Sequence, residues 1–240
     1  MNAVGTVAIA TLVMFAFERL APGLVLPRVR WWGMRLVAFN AVQVGVVFLA
    51  AATWDRWLPQ FRLFDGAALG PVWGAVVGYV AITFVFYWWH RARHEVPALW
   101  RLHQLHHSPV RIEAAMSFYK HPLEILINGV MCSVLLYVVL GLTPATSAVV
   151  LAIAGVAEIA YHANLRTPRW LGYLVQRPES HSLHHAQGVH RHNYADLPFI
   201  DMLFGSFRNP AHHAPQTGFW HGASARVLDM LMLRDVSARR

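Results

Sequence analysis

Five apolar runs set the limits on how this chain can fold. Residues 3–17, 34–53, 70–89, 122–142 and 144–165 consist mostly of Ala, Val, Leu, Ile, Phe and Met, and about 20 such residues are what a helix needs to cross the hydrocarbon of a bilayer. With 56% hydrophobic residues among 240, the chain is too apolar for most soluble domains. The expected fold is all-α: an integral membrane helical bundle of about four to five transmembrane helices with a cytoplasmic histidine-rich helical cap. The first run has no basic stretch ahead of it and passes into Glu18-Arg19-Leu20-Ala21-Pro22 without a cleavage pattern. It reads as a retained anchor rather than a signal peptide.

The net charge of +8 is spread between the apolar runs rather than gathered in an aromatic-laced patch, so nucleic acid is not an expected partner. Arg19, Arg28 and Arg30 lie between the first and second runs, with Arg35 at the start of the second, and Arg91, Arg93, Arg101, Arg111 and Lys120 lie between the third and fourth. The excess of positive residues predicts a cytoplasmic side for these segments and for everything from Arg166 onward. Arg91, Arg93 and Arg101 are expected on a solvated or headgroup-facing side. The Trp- and Phe-rich stretch from Trp54 to Gly70 then lies at the outer surface. Cys132, alone inside an apolar run, reads as packing.

Every histidine cluster falls on the predicted cytoplasmic side, at or just beyond a membrane end. His90 and His94 are four apart at the end of the third run; His103, His106 and His107 follow Pro97 at i, i+3 and i+4; His181, His184 and His185 repeat that spacing after Pro178. On a helix this spacing stacks imidazoles on one face, and neutral imidazole is a common ligand for iron, zinc and copper. Glu158 and His162, four apart in apolar sequence, are either a satisfied buried pair or a metal ligand with its orienting carboxylate. His121 precedes Pro122 and Glu124, an arrangement close to a capping box that leaves His121 open between cap and ligand. His190 and His192 read as solvent-facing loop residues, and His212, His213 and His221 as uninvolved tail residues. Pro144, after Gly141-Leu142-Thr143, should open a helix that forms an antiparallel hairpin with the run before it.

HRARH, HQLHH, His121-Pro122 with Glu124, YHANL around His162, HSLHH and NYADLPFIDMLFGSF occur in that order between Trp73 and Phe207. In this the chain resembles the fatty acid hydroxylase superfamily, also called the sterol desaturase family, in its bacterial membrane form. It departs from the family pattern at Ala195, where glycine is common, and at Tyr119-Lys120, where arginine is common. The resemblance implies a non-haem di-iron enzyme that uses O2 to hydroxylate or desaturate an unactivated C–H bond of a lipid such as a sterol or fatty acyl chain. Carried over, the metal ligands are His90, His94, His103, His106, His107, His162, His181, His184 and His185, with no catalytic residue beyond the metal centre. Glu158, His121, Asn193, Tyr194 and Asp201 are candidates for the shell around the ligands.

Residues 1–70 then form N-terminal transmembrane helices and loops, 71–210 a catalytic domain of this type, and 211–240 a C-terminal cytoplasmic tail. Two iron ions, with zinc able to substitute on purification, and O2 are implied. No dinucleotide fingerprint or CxxC motif is present, so electrons are expected from a separate donor such as a ferredoxin or a cytochrome/reductase. The bacterial inner membrane is the expected location, with the active site facing the cytoplasm. The competing reading is a histidine-rich membrane zinc transporter or metal-binding protein, for which ionisable residues should line a path across the bilayer rather than gather at one end.

Overall fold

The computed structural model describes residues 3–238; residues 1, 2, 239 and 240, the outer ends of two of the expected segments, lie outside it. The described residues form helices α1 (Ala3–Leu20), α2 (Trp32–Ala52), α3 (Gly70–Glu95), α4 (Pro97–His107), α5 (Pro122–Ser133), α6 (Pro144–His162), α7 (Pro178–His184), α8 (Pro198–Leu203) and α9 (Val227–Leu231). Among them there is no strand, only an isolated bridge between Ala186 and Thr217. Each helix from α3 to α8 carries proline at its first or second residue, where a missing N–H costs nothing and the fixed φ suits the first turn.

Trp32–Arg56, Gly66–Glu95, Pro122–Val139 and Pro144–His162 are long and apolar enough to cross a membrane. Val37, Phe48, Val72, Phe84, Val130 and Val149 on these helices are exposed, a density of outward apolar surface suited to lipid rather than water. The fourth apolar run is not uniform: α5 gives way at Val134 to a π-helical segment, Val134–Val139. Two residues beyond it stands Gly141, whose φ of +62° and closeness to the Phe64 carbonyl, 1.8 Å from where a Cβ would sit, leave room only for glycine. The turn to α6 is as short as expected, and Thr143 caps α6 by accepting from the Thr146 N–H (3.2 Å). The two helices do not form a closely packed hairpin, however: α6 packs mainly on α1 and α3, and α5 on α2.

The expected tail is part of the fold. Phe219, Ala223, Met230 and Val236 are buried with Trp32, Leu105, Met116 and Tyr119 in one apolar cluster, while Gln104 of α4 donates to the Arg234 carbonyl (2.9 Å) and accepts from the Val236 N–H (2.9 Å). These contacts tie the C-terminal segment to α4, which also packs on α3.

Candidate metal centre

The ends of α3 and α6 and the short helices α4 and α7 converge, and all nine histidines expected as ligands meet there. His90, His94, His103, His107 and His184 form one group and His106, His162, His181 and His185 a second; within each, one ring nitrogen per residue lies within 4.8 Å of all the others. The groups abut where the rings of His107 and His185 stack at 4.1 Å. Seven of the nine are buried; His90 and His94 are partly covered.

The main chain and one carboxylate fix how these rings present themselves. Nδ1 of His90 faces the Tyr194 carbonyl (3.0 Å), that of His106 the Tyr119 carbonyl (3.3 Å), that of His162 the Glu158 carbonyl (2.7 Å) and that of His184 the His192 carbonyl (2.7 Å). His103 Nδ1 faces Glu124 Oε1 at 2.9 Å. The four carbonyl oxygens can only accept, so Nδ1 of His90, His106, His162 and His184 carries the proton and each of these neutral rings is left with a bare Nε2, whereas His103 Nδ1 lies between Glu124 and the donating Arg93 Nη1 (3.2 Å). The Nε2 atoms of His90 and His184 are buried without any partner. Those of His106 and His162 point at each other across 3.2 Å, two lone pairs in contact. A proton between them would relieve this, but burial, together with the neighbouring His185, His162 and Lys120, holds His106 well below the usual imidazole range. Burial likewise depresses His103, His107, His181 and His185 and takes His184 down to about 3. Bare, inward-facing nitrogens that resist protonation could hold a metal cation.

Several supporting residues differ from expectation. Glu124 does not close a capping box; its carboxylate receives both His103 and the buried Arg93 guanidinium. Arg93 is therefore not solvated: one turn beyond Trp89, it points from α3 toward α4 and α5, where only a carboxylate can offset its charge. His121 is a cap, its Nδ1 accepting from the Leu123 N–H (3.1 Å) and its Nε2 near the Leu231 carbonyl (3.2 Å). It stands apart from the nine.

The expected role of Glu158 is divided, because helical geometry carries its side chain away from His162 toward Lys120 while its carbonyl, one turn back along the ladder, meets the ring. His190 is not solvent-facing; its Nδ1 lies 3.3 Å from His107 Nδ1, and burial lowers it to about 4. His192, half-buried at the surface, contributes the carbonyl that holds His184.

The segment after α7 explains Asn193, Tyr194 and Asp201. Asn193 sits at φ +49°, a left-handed conformation that asparagine tolerates, and its side chain bridges the Ser180 carbonyl (2.9 Å) and the Arg208 N–H (2.7 Å). The carboxylate of Asp201 accepts from the N–H groups of Tyr194 (2.8 Å) and Ala195 (2.9 Å) and from the Ser206 hydroxyl (2.7 Å). It thereby pins the turn whose Tyr194 carbonyl orients His90. The Tyr194 ring itself lies against His90, His94 and His184.

The sequence profile of the family described as fatty acid hydroxylase matches residues 75–206, more than half of the chain. The chain belongs to the fatty acid hydroxylase family. Among its relatives, a fatty acid hydroxylase of a Lecanicillium species is 29% identical over 71% of this chain and 48% of its own length. A very-long-chain aldehyde decarbonylase of Oryza sativa subsp. indica is 32% identical over 75% of this chain and 29% of its own. An ornithine lipid hydroxylase of Rhizobium tropici is 31% identical over 65% of this chain and 44% of its own. The chain thus spans less than half the length of these relatives. No solved structure matches it significantly. The match of this fatty acid hydroxylase family member begins on α3 and ends at Ser206, so it encloses all nine histidines together with Glu124 and Asp201.

Proposed function

We propose that the chain is a membrane-bound non-haem di-iron oxygenase that hydroxylates, or desaturates, an unactivated C–H bond of a lipid, with its active site on the cytoplasmic side of the membrane. The observation that carries this reading is the pair of abutting histidine groups with bare Nε2 atoms turned inward. In it, His90, His94, His103, His107 and His184 hold one metal and His106, His162, His181 and His185 the other. An all-imidazole donor set suits iron and also accepts zinc or copper. Iron fits the reading because an aliphatic C–H bond has no acidic proton and no electrophilic carbon, and O2 activated at a metal can attack it.

Hydroxylation consumes one O2, two electrons and two protons, leaving one oxygen in the lipid and one in water. The residues of the chain keep this chemistry in place. The carbonyls of Tyr194, Tyr119, Glu158 and His192 hold four ligand rings in one tautomer and one orientation, and the carboxylate of Glu124 orients His103. The aromatic layer of Trp100, Tyr194 and Tyr87 limits water around the histidines. Electrons come from a separate ferredoxin or cytochrome/reductase. The relatives named as lipid hydroxylases support a lipid substrate, and the decarbonylase among them leaves the outcome at the carbon to experiment.

Protein purified with and without exposure to air should contain about two irons per chain and consume O2 with a reductant. Cells expressing it should accumulate a lipid heavier by one oxygen or lighter by two hydrogens. Bound zinc with no iron-dependent oxygen consumption and no altered lipid would instead favour the metal-transport reading, against which the gathering of all nine histidines at one end of the bundle already weighs.

A further inference from the structure

His107 is oriented differently from the ligand histidines around it. Where His90, His106, His162 and His184 meet main-chain carbonyls, Nδ1 of His107 meets another imidazole, Nδ1 of His190, at 3.3 Å. Two facing ring nitrogens need one proton between them, and the ring that supplies it decides what His107 can do. If His107 donates, its Nε2 is bare and can bind a metal. If His190 donates, the proton of a neutral His107 sits on Nε2 instead, the atom that lies 3.1 Å from His103 Nε2 within the same histidine group. His107 could then not bind metal through it.

The C-terminal segment decides between the two. The His190 ring also hydrogen-bonds to the main chain of Gly218, whose own N–H is given to the His185 carbonyl (3.3 Å). The Gly218 carbonyl can only accept, so it takes the one N–H of a neutral His190, at Nε2, and leaves Nδ1 as an acceptor for His107. The surroundings hold this arrangement in place. His190 has a left-handed backbone, φ +42°, uncommon outside glycine and best tolerated by Asn, Asp and His, and its ring packs on Phe219 (5.1 Å) and Trp100 (5.7 Å). Gly218 has φ +84°, and a Cβ there would lie 2.8 Å from the Pro109 carbonyl oxygen, so the close approach of this segment needs glycine. Gln187 fastens the same stretch, its N–H donating to the Gln216 carbonyl (3.0 Å) and its side chain to the Phe219 carbonyl (2.7 Å).

We infer that His190 is a positioning residue of the metal centre: it accepts the Nδ1 proton of His107, fixes the tautomer that presents Nε2 to a metal, and is itself fixed by the Gly218 carbonyl. Gly218 and the stretch around it lie beyond residues 75–206, the part of the chain that matches the family, so this support reaches the histidines from outside that region. The inference rests on the reading that the nine histidines hold metal and is independent of the reaction the metal performs.

The test uses the full chain in detergent, loaded with zinc as a diamagnetic probe and labelled with nitrogen-15 in its histidines. Proton–nitrogen correlation spectra, with the His190 signals identified by their loss in His190→Asn, should show the His190 proton on Nε2. A proton on Nδ1 would overturn the inference. Titration against a competing chelator then reads zinc affinity. His190→Asn places an amide oxygen close to where Nδ1 stood and tolerates the left-handed backbone, so it should hold zinc at close to the wild-type affinity. His190→Leu fills the space but accepts no hydrogen bond, and His190→Gly relaxes the backbone but accepts none either. In both, the affinity for one of the two zinc ions should fall about 10- to 100-fold. Wild-type affinity in His190→Leu with loss in His190→Asn would assign the ring to packing, and wild-type affinity in His190→Gly would show that it does nothing for the metal; either result overturns the inference while leaving the metal centre in place. A wild-type chain that binds no zinc would remove the metal centre itself, and the role of His190 with it.

Discussion

His106 and His162 present the sharpest single-residue test, because their Nε2 atoms are in contact and neither ring has a proton to place there. His106→Ala or His184→Ala should reduce metal content to background and abolish activity, as read by elemental analysis and oxygen consumption; His212→Ala, at an exposed position, should do neither. Glu124 and Glu158 separate two roles that their spacing alone does not distinguish. Glu124→Gln keeps the shape but removes the charge that stabilises the Arg93 guanidinium and strengthens His103 as a donor to metal, so metal affinity should fall about 10- to 100-fold. Glu158→Gln leaves the carbonyl that orients His162 untouched. Its expected effect is a lower melting temperature from the weakened Lys120 partnership, with metal content unchanged. Metal loss equal to that of Glu124→Gln would show that the carboxylate of Glu158 acts on His162 after all.

At the scale of the elements, the short helices depend on buried anchors outside themselves. The turn at Asn193–Ala195 and the helix α8 are held by the three hydrogen bonds of Asp201, which six helical residues cannot replace, since isolated helices shorter than about 12–15 residues are marginal. Asp201→Ala should therefore free the Tyr194 carbonyl, raise hydrogen exchange across residues 193–206 and lower metal content, although Asp201 touches no ligand. α4 is clasped in a similar way by the C-terminal segment. Met230→Ala should cost about 2–5 kcal/mol, the range for a fully buried methionine truncated in a core. The loss would appear as earlier thermal unfolding together with release of metal from the α4 histidines.

For the whole molecule, burying so many neutral imidazoles links stability to pH. His184, at about 3 when folded, and its depressed neighbours outside the membrane-spanning helices take up protons more readily when unfolded, near pH 6.5. Between those limits the unfolded state binds more protons, so the stability of metal-free protein should fall as pH drops below about 6.5 and hold steady above it. Circular dichroism melting in detergent across that range would check the sign, and a protein that gained stability on acidification would contradict it.

The sequence by itself determined four of the five expected membrane-crossing helices and the spacing of eight of the nine histidines, His162 being added by the resemblance. Twenty apolar residues can satisfy their backbone only as a helix in lipid, and i, i+3, i+4 spacing fixes which side chains share a face whatever surrounds them. Both are local properties, and the structure brings the nine together at one end of the bundle. What surrounds them was decided by tertiary contacts between residues far apart in the chain. Arg93, which its neighbours suggest is solvated, is buried because Glu124, 31 positions away, meets it; Glu158 turns to Lys120, 38 positions earlier. The carbonyls of Tyr194 and Tyr119 have no side-chain signature at all, since every residue carries one, and only the path of the main chain brings them to His90 and His106. The C-terminal segment shows no helical pattern that would tie it to α4, and its burial follows from the apolar gap beside Leu105 and Tyr119 that Met230 and Val236 fill.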